Sequence, residues 1–310
     1  MNPSPSQRPG VLYGLGAYGT WGVFPLYFHL LNRSSALEIV LNRVLWSLLI
    51  CLVVVAAIRG WAELRAALTA GRRTVQLGIA SVFLAVNWGT YIYAVNSGHV
   101  IEASLGYFTN PLVTVLLGVV VLRERLRPGQ WAAVGIGAAA VVVLTAAYGR
   151  LPWIALTLAI TFGIYGLIKN RVGVDVGAVA GLTTEALLLT PAAAVGLVWL
   201  ELAGRGHFTD NPPWQALLLI GAGLATVVTL MMFAAAARRV PLTTMGLLQY
   251  VTPVLQLLCG VFAFGERLTP ARWAGFAIVW LALAVLTVDG LRAANGARIV
   301  NAQRRMLARS

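Results

Sequence analysis

Acidic residues are scarce in this sequence. Asp and Glu together number 10 in 310 residues against 23 Lys and Arg, and charged residues of both signs make up 11% of the chain, where a soluble domain carries about a quarter. That shortage excludes a water-soluble globular protein. Cysteine is nearly missing as well. Cys51 and Cys259 lie far apart in apolar stretches with no CxxC pattern, so neither a disulfide framework nor a metal site is implied, and apolar packing is their expected role.

Other absences narrow the function. No GxxxxGKS loop is present to drive transport with ATP. No small-residue cleavage site with a soluble body follows the polar start "MNPSPSQRPG", so the first apolar segment reads as an uncleaved span behind a short tail, residues 1–9. The net charge of +13 comes from arginines that fall between apolar segments instead of on one folded face, which argues against nucleic acid as a partner. Intramembrane His and carboxylates are too sparse and scattered to form an acid, base, nucleophile or metal set, so no enzyme and no cofactor is expected. Connections such as 123–127 and 266–270 leave no room for the soluble output domain of a sensor.

What the chain has is hydrophobic length: 59% of residues are hydrophobic. Breaks at charges, Pro and Gly delimit ten segments at about 10–31, 35–58, 74–95, 100–122, 129–147, 151–169, 177–202, 214–237, 242–264 and 271–291. A hydrocarbon core about 30 Å thick needs roughly 20 residues of helix, and only helices or closed barrels satisfy their backbone there. Segments this long and continuously apolar predict an all-α integral membrane protein of ten transmembrane helices. Lys and Arg alternate unequally between the loops. One side holds Arg33, Arg150, Arg205, Arg267 and Arg272. The other holds Arg8, the arginines of 59–73 and 123–127, Lys169, Arg171, Arg238, Arg239 and the five of the basic tail 292–310, while Arg43 lies inside a span. The positive-inside bias then puts both termini in the cytoplasm, with the tail near anionic lipid headgroups.

The chain also repeats itself. Shifting "EASLGYFTNPL", Glu102 to Leu112, by 142 positions lands on "TMGLLQYVTPV", Thr244 to Val254, and matches Pro111 with Pro253. The same offset pairs Gly118 with Gly260, Glu124-Arg125-Leu126 with Glu266-Arg267-Leu268, Pro128 with Pro270, Trp131 with Trp273 and Thr145 with Thr287. At an offset of 141, "WGVFPLY" at 21–27 echoes "FGIYGLI" at 162–168. The halves are 10–147 and 151–291, five helices each, and an odd number forces the second to enter the membrane from the opposite side. Such inverted repeats are the usual construction of secondary transporters, whose two halves exchange inward-facing and outward-facing conformations around a midplane site.

At these residues the sequence resembles the drug/metabolite transporter superfamily, in its ten-helix EamA branch, over about residues 10–291. The mark of that branch, a helix with Pro and Gly followed by Glu-Arg-Leu, Pro and Trp, occurs twice. "NWGTYIYAVNSGHVIEASLGYFTNPL" at 87–112, "LEIVLNRVLWSL" and "LQYVTPVLQ" are similar to the RarD, or chloramphenicol-sensitive protein, subfamily. The resemblance implies a permease of a bacterial-type plasma (inner) membrane, exporting a small organic metabolite or drug. It supplies no natural substrate. An uptake carrier is the alternative, and a channel or a non-transport membrane protein the more distant ones.

Polar residues inside the spans are the candidate pathway, because a charge at the bilayer centre costs about 2.5 kcal/mol or more and usually faces the bundle interior. Arg43 and Glu185 are 142 apart, one from each half. They are expected to line one pathway, as an ion pair or as anchors for a solute's carboxylate and amine; the alternative is a separate structural partner for each. Asn87, Tyr91, Tyr107 and Asn110, with Gln249 and Tyr250 in the second half, are further pathway candidates. Pro111 and Pro253 cannot donate to the carbonyl four residues earlier, so both are expected to kink their helices. Glu102 and His99 are candidates for proton coupling, although a carboxylate in a first helical turn needs no such role. Glu124 and Glu266 are expected to brace tight turns by facing the helices that start near Pro128 and Pro270.

Overall fold

The computed structural model describes residues 8–123, 125–172, 176–206, 208, 212–240 and 242–307. Its regular elements are all helical. In order they are α1 (Arg8–His29), α2 (Ala36–Ala57), α3 (Trp61–Leu68), α4 (Arg72–Asn96), α5 (Val100–Leu122), α6 (Pro128–Tyr148), α7 (Trp153–Val172), α8 (Ala178–Leu202), α9 (Pro213–Ala237), α10 (Leu242–Leu248), α11 (Val251–Leu258) and α12 (Pro270–Leu307), with a π-helical turn at Cys259–Ala263. Among the described residues eight stretches are long and apolar enough to cross a membrane, and Trp153–Lys169 is a shorter apolar one. α1 is as long as α2, but its glycines, tyrosines and tryptophan dilute its apolar character.

Three boundaries differ from the sequence reading. The loop 59–73 contains α3, a short helix that buries Leu64 and Ala67. The span expected at 242–264 is divided at Gln249 and Tyr250, four and three residues before Pro253, where the missing proline N–H leaves the Gln249 carbonyl without its helical donor. α5 by contrast remains one helix through Pro111. The last helix continues to Leu307, well past the end expected near 291.

The repeat register reappears in three dimensions. α8 starts 142 residues after α2, α10 142 after α5, and α12 142 after α6, while α9 starts 141 after α4. Burial follows the same shift. Leu77, Ala80, Ser81, Leu84, Asn87 and Ala94 are buried on α4, and Leu219, Ala222, Gly223, Thr226, Thr229 and Ala236, each 142 further on, are buried on α9. On α2 and α8 the match includes Val40 with Leu182 and Arg43 with Glu185. Two copies of one apolar pattern therefore present the same faces to the interior.

The chain forms two compact units, each drawing on both repeats. The first comprises residues 1–107 and 154–267; in it α1 packs on α9 and α11, and α2 on α8 and α9. Close backbone approaches are made at glycines: a side chain on Gly106 would meet the Ala155 carbonyl oxygen at 2.8 Å, and one on Gly22 would meet Leu255 at 2.6 Å. The second unit comprises residues 108–153 and 268–310. There α6 lies against α12, Phe108 sits edge-on to Phe276 and Trp280, and Arg127 Nη2 pairs with Asp289 at 2.6 Å.

Candidate functional site

Within the first unit a cavity of about 780 Å³ opens among α3, α7, α8 and α9. Its mouth carries Arg73, Arg238 and Glu63, its walls Leu182, Leu230, Phe233 and a series of alanines, and its depth Tyr165, Lys169 and Glu185. Arg73, Lys169 and Arg238 all belong to the arginine-rich set of connections, so the cavity opens toward the basic loops. Lys169, the single lysine of the chain, donates to Glu185 Oε1 at 2.7 Å, and the Tyr165 hydroxyl donates to Oε2 at 3.4 Å. Glu185 is 2% exposed and Lys169 28%. Burial of the carboxylate is tolerable because a cation and a hydroxyl answer it. Adjacent to this space a smaller cavity of about 260 Å³ is lined by Cys51, Val54, Val227 and Met231.

From the cavity inward the rings continue. Phe233 packs on Tyr18 and Trp21, and Tyr165 on Phe162, which meets Tyr107. They lead to a polar cluster held in an apolar surround. Arg43, 3% exposed, donates from Nε to Thr226 Oγ1 at 2.6 Å, and its guanidinium lies 4.0 Å from the ring centre of Trp88 and over Phe28 and Phe24 at 5.4 and 5.7 Å. Aromatic faces supply the electron density that a desolvated guanidinium needs. Asn87 uses its amide fully, giving Nδ2–H to the Leu158 carbonyl and Thr161 Oγ1 at 3.0 Å each and accepting from the Tyr107 hydroxyl at 3.1 Å. Gln256 Nε2 donates to the Tyr91 hydroxyl at 3.3 Å and the Trp21 carbonyl at 3.2 Å.

Arg43, Asn87, Tyr91 and Tyr107 thus gather in one cluster, while Glu185 lies in the cavity with Lys169 as its partner. Arg43 and Glu185 have separate partners instead of each other: among the described residues no ion pair joins a carboxylate to Arg43. Gln249 and Tyr250 form the half-buried turn between α10 and α11. Asn110 and Pro111 belong to the second unit; Asn110 Oδ1 is buried without a partner among the described residues, and its backbone carbonyl accepts from Thr114 Oγ1.

Glu102 and Glu266 are both spent on helix ends. Glu102 is buried and accepts from the Ile154 backbone N–H at 3.1 Å, capping the start of α7. Glu266 accepts from Val100 and Ile101 N–H at 2.6 and 3.0 Å. It braces a helix as expected, but that helix is α5 and not the one beginning at Pro270, because α5 aims free N–H groups at the loop. His99 Nδ1 lies 3.1 Å from Ser97 Oγ at the half-exposed α4–α5 corner. Glu124 lies outside the described residues. Sequence reasoning passed over Thr161, Thr226 and Gln256, which carry no charge to betray them, and assigned Lys169 to a loop because it ends an apolar run.

The model of the EamA-like transporter family matches residues 8–146 and again 151–288. The chain belongs to the EamA-like transporter family. Among its relatives in that family, Protein RarD of Streptomyces exfoliatus is 47% identical over 96% of this chain and 94% of its own length, and Protein RarD of Escherichia coli 39% identical over 92% and 95%. An uncharacterized transporter of Pseudomonas aeruginosa is 45% identical over 92% and 95%. A solved crystal structure shares the fold at a TM-score of 0.57 and 21% identity, over 93% of this chain and 99% of that one. This EamA-like protein is accordingly a multi-pass membrane transporter of the RarD subfamily.

Proposed function

We propose that the protein is a secondary-active carrier that exports a small organic solute across a bacterial plasma membrane by alternating access between two inverted halves, 10–147 and 151–291. The observation that carries this reading is the cavity ending at Glu185 and Lys169. Its volume suits a ligand of drug or metabolite size, its walls are apolar, and the aromatic layer of Phe233, Trp21, Tyr165 and Phe162 stands between it and the Arg43 cluster. Positive-inside bias assigns the cavity mouth to the cytoplasm along with both termini, so solute would load from within the cell. Since Glu102 is occupied at the start of α7, any proton coupling would fall instead to Glu185, the buried carboxylate that lines the cavity.

The test is an untargeted comparison of metabolites in cells and medium with and without overproduction of the protein, repeated with Arg43→Ala and Glu185→Gln. A solute that accumulates outside only with the intact protein supports export. One that accumulates inside makes it an uptake carrier, and flux that neither saturates nor shows counterflow makes it a channel.

A further inference from the structure

The open cavity has a counterpart, buried in the packed core. Moving its lining residues back by the repeat offset of 142 converts Leu182, Glu185, Leu230, Phe233 and Ala237 into Val40, Arg43, Trp88, Tyr91 and Val95. The 141 offset of the first and sixth helices converts Tyr165 and Lys169 into Phe24 and Phe28. The contacts correspond too: Glu185 is touched by Tyr165 and Lys169, and Arg43 by Phe24 and Phe28. Yet where the first set surrounds open space, the second is a single packed cluster that buries Phe24, Phe28, Val40, Tyr91 and Val95.

The mouth of this closed counterpart is marked by polar atoms that a permanent core would not keep. Arg73 and Val176 at the open mouth correspond to Gln215 and Ser34. Gln215 is 0% exposed. Neither its amide oxygen and nitrogen nor Ser34 Oγ has a hydrogen-bond partner among the described residues, whereas buried polar groups are as a rule satisfied. Water entering an opened mouth would satisfy all three atoms.

We propose that the Phe24, Phe28, Arg43, Trp88 and Tyr91 cluster is a second vestibule, collapsed in this structure, which opens on the face away from the basic loops and there receives an oxyanion of the solute on Arg43. This rests on the alternating-access reading above. The chemistry comes from the guanidinium: its face is stacked on Trp88, its Nε is committed to Thr226, no ion pair with a described carboxylate neutralises it, and its forked edge fits a carboxylate or phosphate type of group. A flat apolar body beside that oxyanion would rest on the rings. The two vestibules would then differ in charge, with Glu185 and Lys169 compensating one another on one side and Arg43 awaiting an anion on the other.

The experiment uses the full chain with Cys51→Ser and Cys259→Ser, carrying single cysteines at Ala237 or Val95, in membrane vesicles of both orientations treated with a membrane-impermeant maleimide. Ala237→Cys is expected to react from the face bearing the basic loops and Val95→Cys from the opposite face. Benzoate is expected to slow Val95→Cys labelling several-fold, benzamide to leave it unchanged, and Arg43→Gln to abolish the benzoate effect. Ile92→Cys, the counterpart of Ala234, serves if Val95→Cys does not insert. Labelling of Val95→Cys and Ile92→Cys from neither face, or only from the basic face, while Ala237→Cys varies in reactivity overturns the second vestibule. Equal effects of benzoate and benzamide, or none from either, overturn its anion selectivity. Labelling of Ala237→Cys from both faces at once would instead remove the alternating-access reading itself.

Discussion

Two charged residues, Arg43 and Glu185, occupy equivalent places in the two repeats but are stabilised by opposite means. The guanidinium is held by ring faces and one hydroxyl, the carboxylate by a lysine and a phenol. Arg43→Lys should therefore abolish transport at unchanged expression, because an ammonium can neither stack flat on Trp88 nor present a fork; solute efflux from cells expressing the variant checks this. For Glu185, loss of Lys169 alone leaves a buried carboxylate with the Tyr165 hydroxyl but no counter-charge, at a cost of about 3 kcal/mol. Lys169→Met should lower the unfolding temperature in detergent, and the double variant Lys169→Met with Glu185→Leu should recover the stability without recovering transport.

At the level of helices, crossings and caps set the architecture. Gly106 faces the backbone of Ala155, and Gly275 faces the side chain of Leu144. Backbone cannot withdraw as a side chain can. Gly275→Ala should thus be repaired by Leu144→Ala, whereas Gly106→Ala should stay destabilised by about 1–3 kcal/mol whatever nearby side chain is trimmed, as thermal unfolding of purified variants would measure. Glu266→Ala removes both acceptors from the start of α5 and should cost about 1–2 kcal/mol, in the range of a lost helix cap. Fraying then spreads from Val100, and hydrogen exchange at Val100 and Ile101 would report it.

For the molecule as a whole, charge distribution and repeat symmetry act together. Arg73, Lys169 and Arg238, all from the basic set of connections, line the cavity, so the orientation expected from the positive-inside bias would also set which way the cavity faces. A fluorescent protein fused after Ser310 should fluoresce, and a phosphatase fused there should stay inactive, since the C-terminus is expected in the cytoplasm. An active phosphatase would reverse both the orientation and the direction of loading.

Ten apolar segments, the class of fold and the 142-residue register could be read directly from the sequence, because lipid demands helices of one length and a duplicated chain keeps its spacing. Arg43, Asn87, Tyr91 and Tyr107 stood out for the same reason: polar atoms are rare in such segments. Spacing alone could not give their partners. Asn87 finds Leu158 and Thr161 across 71 and 74 residues, Gln256 finds Tyr91 across 165, and Glu266 caps α5 across more than 160. Nor could it tell that Arg43 and Glu185 would lie apart with different company. Those outcomes depend on how the two inverted copies pack, and two copies related by symmetry can place equivalent faces around an open space in one half and press them together in the other.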